Sequence, residues 1–195
     1  MIYVVSLGLL VAVAAWLVSV YQKLNFLRGQ VQDAWLKWSR VTMQRNERLG
    51  HFAASFAMCL PVGAMLPREL RRMMEDSRLA LSARPGAPRP GGLKALREAE
   101  LGLRQRMGDS VQLIENNLAM RNNADLVQEC REVSDALAMQ EQIAKAYDRS
   151  AGDYNNALLG PAARMVAGMF GFVPVAQMHH QALHRAIALR RDAEG

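Results

Sequence analysis

The first twenty residues of the chain contain no charged side chain, and this run constrains the fold more than any other feature. A helix rises 1.5 Å per residue, so about twenty apolar residues span the ~30 Å hydrocarbon core of a bilayer. Tyr3, Trp16 and Tyr21 lie toward the ends of the run, where aromatic rings favour the membrane interface. We therefore predict a transmembrane anchor over residues 1–21.

Two other interpretations of this run are weaker. A cleaved signal peptide has Lys or Arg before its apolar region, which is also shorter than the run found here. A buried core helix that is apolar on every face is rarely needed in a domain of this size.

The basic residues that flank the run predict its orientation. Lys23, Arg28, Lys37 and Arg40 follow it within twenty residues, whereas only the α-amino group precedes it. Under the positive-inside rule, the side that carries the basic residues faces the cytoplasm. We expect a single-pass protein of a bacterial inner cell membrane, with residues 21–195 in the cytoplasm.

The rest of the chain has the composition of helices. Ala, Leu, Met, Gln, Glu and Arg dominate, and no segment alternates convincingly between apolar and polar residues. The hydrophobic share of 51% excludes disorder for most of the chain, and 195 residues suit one domain with an appendage. The predicted fold is all-α.

A first helical stripe continues directly from the anchor. Its members are spaced three or four residues apart, as in a heptad repeat. They are Leu24, Leu27, Val31, Ala34, Trp38, Thr42, Arg45, Leu49, Phe52, Phe56 and Cys59. The spacing predicts that the membrane helix runs on as one rod, or with a slight bend, until Pro61. A shorter helix is expected from about Pro67 to Leu81.

A second stripe is the most regular segment of the chain and predicts a coiled-coil-like seam. Its members are Leu126, Cys130, Val133, Leu137, Gln140, Ala144, Tyr147, Ala151, Tyr154 and Leu158. Gln140 is its one purely polar side chain and is a candidate for setting the register of the packed helices. Gly160 and Pro161 are expected to end this helix.

The connections complete a division into three parts: an anchor (1–21), a helical bundle (22–160) and a C-terminal part (161–195). The Pro- and Gly-rich residues 82–92 form a flexible loop within the bundle. Helix is expected from residue 93 to about 120, with Asn122 or Asn123 as the N-cap of the next helix. The C-terminal part is predicted to be a short apolar segment followed by an amphipathic helix over 175–191.

Residues with catalytic or metal-binding chemistry are few. His179, His180 and His184 form an HHxxxH pattern in which His180 and His184 have the i, i+4 spacing that can share a metal. No Glu lies between them as in HExxH, and no Cys or carboxylate lies nearby, so surface histidines are favoured. Cys59 and Cys130 fall on the two apolar stripes, which favours buried thiols over nucleophiles. No nucleotide-binding motif and no ExxH pair occurs. We expect no enzymatic activity, no metal and no cofactor.

The distribution of charge favours a membrane surface as a partner. Residues 21–50 carry six basic and two acidic side chains, whereas residues 93–150 carry eight and ten. The basic excess therefore lies beside the anchor, where anionic lipid attracts it at ~1 kcal/mol per basic residue. A solvated face or a lipid surface accounts for this excess more simply than nucleic acid does.

Several short motifs resemble the LemA family in their order and spacing. The anchor is followed by Tyr21, Leu27-Arg28, Val31 and Ala34-Trp35, with Arg45 ten residues on. Tyr147-Asp148 and Tyr154-Asn155 resemble the paired YN motifs of that family, although Asp148 stands where the family prefers Asn. Pro161 and the run Ala167-Gly168-Met169-Phe170-Gly171-Phe172 resemble its closing segment. The resemblance covers about residues 3–178.

The resemblance implies a single-span anchor and a long antiparallel four-helix bundle without known catalysis. It implies a scaffold or interaction protein that associates with itself or with protein partners. The alternatives are an accessory factor for a membrane protease or an envelope stress response, and a membrane-remodelling protein related to the magnetosome branch. The candidate structural or interaction residues are Trp35, Arg45, Tyr147, Asp148, Tyr154, Asn155, Pro161, Phe170, Gly171 and Phe172. The periodicity places both tyrosines on the seam, and Asp148 and Asn155 are expected to bond to the first helix, with Trp35 and Arg45 as partners.

Overall fold

The computed structural model describes residues 2–82, 86–88 and 93–179. Every regular element in these ranges is an α-helix, which confirms the all-α class. The helices are α1 (Ile2–Met58), α2 (Leu66–Ser82), α3 (Lys94–Asn116), α4 (Leu118–Arg121), α5 (Ala124–Ala157) and α6 (Pro161–Phe170).

Helix α1 is 57 residues long and continues from the apolar run without a break. Among the described residues it is the one helix long and apolar enough to cross a membrane. Exposed side chains occupy its apolar part, including Leu10, Val13, Trp16 and Val18, which are 48–66% exposed. This part of α1 is therefore not the core of the described fold.

Beyond the apolar run, α1 packs antiparallel against α5. Ser55 Oγ lies 3.1 Å from Glu129 Oε1 at one end of this contact, and the rings of Trp35 and Tyr147 lie 5.6 Å apart toward the other. Residue numbers thus rise on α1 as they fall on α5. The buried face of each helix follows its predicted stripe, although Leu27, Ala34, Cys59 and Leu137 are only half-buried.

Helices α2 and α3 form a second antiparallel pair, and α2 also packs on α1. Ser77 on α2 donates to Glu100 on α3, and Glu69 pairs with Arg106 about two turns further along. The chain enters α2 through a turn in which Gly63 has φ +96°, a conformation that glycine adopts without strain.

Two hydrophobic clusters fill the space between the helices. The proximal cluster, which includes Leu24, Trp38, Tyr147 and Phe172, lies at the end of the helices nearest the apolar run. The distal cluster contains Leu49, Phe52, Phe56, Leu103, Leu126 and their neighbours. The stripes on α1 and α5 therefore meet over most of their lengths, with polar side chains between the two clusters.

One boundary before α5 differs from the sequence-based predictions, and another agrees with them. The helix expected to run to about residue 120 stops at Asn116, because the Asn117 side chain accepts hydrogen bonds from the backbone N–H groups of Ala119 and Met120 and starts α4. Asn123 is the N-cap of α5, as one of the two predicted options, and accepts from Leu126 N at 3.2 Å.

The C-terminal part also differs from the prediction. Residues 161–170, expected only as a short apolar segment, form the helix α6, with Pro161 in its first turn and Gly171 (φ +69°) as its left-handed cap. Residues 172–177 have no helical structure, so the amphipathic helix does not begin at residue 175. The rest of that predicted helix, with His180 and His184, lies outside the described residues.

Candidate functional site

A buried polar layer lies between the two hydrophobic clusters and centres on Arg45, which is 1% exposed. Arg45 Nη2 donates to Glu100 Oε1 at 2.9 Å, and Nη1 donates to Glu100 Oε2. Nη1 also donates to Gln140 Oε1 at 2.7 Å, and Nη2 donates to Asn46 Oδ1 at 2.6 Å. The N–H groups of the guanidinium therefore donate to side chains of α1, α3 and α5.

The Glu100 carboxylate closes the layer from α3. It accepts from Ser77 Oγ at 2.7 Å and from Gln140 Nε2 at 2.9 Å, and the same amide donates to Thr42 Oγ1 at 3.0 Å. Burial alone raises the pKa of Glu100, but the hydrogen bond and charge of Arg45, with the bonds from Gln140 and Ser77, hold that pKa below its ordinary value of 4.5. The Arg45–Glu100 ion pair and the side chains that bond to it thus link α1, α2, α3 and α5.

The second feature is a backbone clamp, which we define as Tyr147, Asp148, Tyr154 and Asn155 of α5. It holds residues 173–179, which are not helical, against the helix. Tyr147 Oη donates to the Ala176 carbonyl at 2.6 Å, and Tyr154 Oη donates to the Val173 carbonyl at 3.1 Å. Both rings are buried in the proximal cluster, so each tyrosine packs with its ring and binds with its hydroxyl.

The two residues that follow the tyrosines complete the clamp. Asn155 accepts from Val175 N and donates to the Val175 carbonyl, both at 2.9 Å, as a neighbouring strand would. The Asp148 carboxylate accepts from the backbone N–H groups of Met178 and His179. Almost every contact is with backbone, so the clamp recognises non-helical backbone rather than particular side chains.

The structure corrects the partners expected for Asp148 and Asn155. They bind the C-terminal segment instead of the first helix, because they face the groove beside α5 that residues 173–179 fill. Trp35 contacts the Tyr147 ring, whereas Arg45 lies in the polar layer and bonds to Glu100 and Gln140 rather than to Asp148 or Asn155. Sequence periodicity missed Glu100, Ser77 and Asn46, since each belongs to a helix or a face outside the two stripes.

The remaining candidate residues lie around α6. Phe170 is exposed, and its ring lies 4.8 Å from that of Tyr21. Phe172 is buried, 5.7 Å from Tyr21, and the guanidinium of Arg28 lies 5.9 Å from the centre of its ring. These contacts bring the closing segment of the resemblance onto the end of the apolar run.

A cleft of about 300 Å³ opens between α3 and α5 beside the polar layer. Its lining consists of Trp38, Arg97, Glu100, Leu101, Arg104, Gln140, Ala144, Met178 and His179. Arg104 pairs with Glu141 at its rim, and His179 lies 2.5 Å from Asp148. The buried Trp38 Nε1 has no hydrogen-bond partner among the described residues. The charged groups of the cleft are engaged by partners around it: Glu100 by Arg45, Arg104 by Glu141, and Arg97 by the Gln177 carbonyl.

The described thiols are Cys59 and Cys130, and the described imidazoles are His51 and His179. Cys130 is buried, which raises the pKa of its thiol and disfavours the nucleophilic thiolate, and Cys59 is half-buried. His179 is exposed, in a non-helical segment. Within residues 2–82, 86–88 and 93–179, no three His, Cys, Asp or Glu side chains lie close enough to hold a metal.

No protein-family profile, curated protein or solved structure matches this chain.

Proposed function

We propose that this chain is a membrane-anchored helical scaffold of the LemA type that binds protein partners or copies of itself and catalyses no reaction. In this proposal α1 crosses the inner membrane once. Helices α1, α2, α3 and α5 form an antiparallel four-helix bundle in the cytoplasm.

The observation that carries the proposal is the continuity of α1. Its first part exposes apolar side chains such as Leu10 and Val13, and its later part buries Leu49 and Phe52 completely, within a single helix from Ile2 to Met58. Exposed apolar side chains at this density are stable in lipid and costly in water. A continuous helix then transmits the position of the anchor directly to the bundle.

The polar layer supports a role as a rigid scaffold. A buried ion pair adds little net stability compared with apolar side chains, but only one register of the helices satisfies it. Arg45, Glu100, Gln140 and Ser77 meet from four helices, so a slip of any helix leaves a buried charge or amide unpaired. Such a layer suits a protein whose surface must keep a fixed shape.

The backbone clamp supports the membership of the LemA family. The two tyrosine motifs and the closing segment are separate in sequence, yet Tyr154 binds Val173, and Phe172 lies in the same cluster as Tyr147. The tyrosine motifs and the closing segment would occur together because they contact each other in the fold. These contacts explain the motifs without a bound ligand.

The docking surface in this proposal is the outer face of the bundle. Several large apolar side chains are exposed there, including Leu36, Met43, Leu101 and Met139, which are 47–70% exposed. They are separate from the apolar run. Two of them are methionines, whose flexible side chains are common at surfaces that bind several protein partners.

Photo-crosslinking in native membranes tests the proposal, with the probe placed at Leu101 or Met139 of the full chain and the products identified by mass spectrometry. We expect specific adducts with other proteins or with a second copy. The matched control is the same probe in an Arg45→Ala chain, in which the bundle is destabilised but the anchor is intact. Adducts that persist in the control are bystanders. An absence of adducts that depend on Arg45 would contradict the scaffold.

A further inference from the structure

Helix α6 and its flanks form an apolar surface at one end of the described fold. Residues 154–178 contain a single charged side chain, Arg164. One face of α6 packs into the proximal cluster through the buried side chains of Ala163 and Val166. Met165 and Met169 project away from this face and are 64% and 73% exposed. Phe170 at the end of α6 and the flanking residues Leu159 and Val173 are also exposed, by 43–64%.

This surface lies beside the end of the apolar run of α1. The Phe170 and Phe172 rings contact Tyr21 with centroid distances of 4.8 Å and 5.7 Å. Leu17 and Val20 are partly buried against the same cluster that holds the inner face of α6. The exposed face of α6 is therefore level with the point where α1 changes from charge-free to charged sequence.

We propose that α6 lies in the interfacial layer of the bilayer that α1 crosses, with Met165, Met169 and Phe170 in contact with lipid. The inference rests on the proposed anchoring of α1 and adds a second, lateral membrane contact. Exposed apolar side chains on a helix beside the bilayer can be buried at the boundary between headgroups and acyl chains. If α1 spans the membrane, the bilayer surface is already beside this face.

The charges around the face match an anionic leaflet. Arg28 stacks over Phe172, Arg164 is exposed on α6 itself, and Lys23 follows the apolar run by two residues. Basic side chains at the headgroup level attract phosphatidylglycerol and similar lipids. A bilayer fits these features better than a protein partner does. At the level of Tyr21, where the apolar run ends, a bilayer presents both an apolar layer and anionic headgroups.

Spin labelling of the full chain in phosphatidylcholine vesicles that contain phosphatidylglycerol tests the inference. Cys59 and Cys130 are replaced by Ala, and a nitroxide is attached at Met169→Cys. The matched control is Met139→Cys, an exposed methionine next to Gln140, which contacts Thr42 and so lies ~32 Å beyond Tyr21 along α1. We expect the ratio of oxygen to nickel-chelate collisions to be severalfold higher at Met169 than at Met139.

A third label, at Val13→Cys in the apolar run, separates the possible failures. If Val13 is reached by oxygen but Met169 by the nickel chelate, the lipid contact of α6 is wrong while the anchor stands. If Val13 itself is reached by the chelate, the anchor is wrong and the inference falls with it. Shielding of Met169 from both reagents, with spin–spin broadening, would mean that a second copy covers α6 and would also overturn the inference.

Discussion

For the single residue Arg45, the sequence predicts that the side chain faces inward but does not predict which side chain it contacts. Its place on the first stripe follows from the spacing of its neighbours, so a buried arginine could be predicted from α1 alone. Its partner Glu100 lies 55 positions away, on a helix whose own apolar pattern gives no sign of a buried carboxylate. A periodic pattern reports the inward face of its own helix, and says nothing about which side chain it meets.

The buried ion pair makes a prediction about stability. Arg45→Met should lower the free energy of unfolding by ~3–5 kcal/mol, because Glu100 remains buried without a counter-ion. Arg45→Met combined with Glu100→Leu should recover most of that loss. The control is Arg72→Met, an exposed arginine 4.0 Å from Asp76, which should cost no more than ~1 kcal/mol. Thermal unfolding of the full chain in detergent micelles measures all three, and equal melting of the two single variants would contradict the layer.

The same pair predicts how stability depends on pH. The folded-state pKa of Glu100 lies below its ordinary value of 4.5, so the unfolded chain binds more protons between the two values. The contribution is fully present above pH ~4.5 and is lost as the pH falls through the folded-state pKa. In Arg45→Met, burial dominates and raises the pKa of Glu100, so this contribution has the opposite sign. Melting curves that change with pH alike in both proteins would argue against the assignment.

Tyr154 gives a second prediction at this scale. Tyr154→Ala should cost ~3 kcal/mol or more, since a buried ring is removed. Tyr154→Phe should cost ~1 kcal/mol, because the Val173 carbonyl belongs to an exposed residue that water can reach. Tyr147→Phe should cost more, up to ~3 kcal/mol, because the Ala176 carbonyl is buried. Melting of Tyr154→Ala within about two degrees of wild type would show that the ring is not a core residue.

At the scale of elements, long regular helices were predictable and the short ones were not. The stripes of α1 and α5 extend over many turns, so one irregular residue does not obscure them. Helix α6 contains Gly168 and ends at Gly171, and these glycines conceal a pattern only ten residues long. Burial of Ala163 and Val166 stabilises it through packing that exists only in the folded chain. The gap at Asn117 depends on its side-chain cap, and many Asn residues in helices form none.

Helix α3 allows a test with matched glycines. Gly108→Ala should stabilise the protein by ~0.5–1 kcal/mol, since a Cβ there meets nothing within 4 Å and alanine favours the helix. At Gly102, a Cβ would lie 2.9 Å from Met73 Sδ, so the Met73 side chain must move from its place between α2 and α3. Gly102→Ala should therefore stabilise less than Gly108→Ala or destabilise. Chemical denaturation of the two variants compares them, and a larger gain at Gly102 would mean that α2 and α3 do not approach as described.

At the scale of the whole molecule, the charge-free run and the stripe that follows it predicted one long helix, and α1 has that form. The way residues 173–179 return along α5 was not predictable. Asp148 and Asn155 recognise backbone, which every residue carries, so nothing in the sequence of the segment identifies it as their partner. The proposed function joins these parts: an anchor, a helical bundle of fixed register and a C-terminal segment held at the end nearest the membrane.

The orientation of the bundle is the central claim that one measurement tests most directly. Met58→Cys, at a position 82% exposed at the far end of α1, is introduced into a full-length chain in which Cys59 and Cys130 are Ala. A membrane-impermeant maleimide should leave this cysteine unlabelled in intact cells and label it once the membrane is permeabilised, because the orientation that we propose from the basic residues after the apolar run places Met58 in the cytoplasm. Efficient labelling of intact cells would contradict the account.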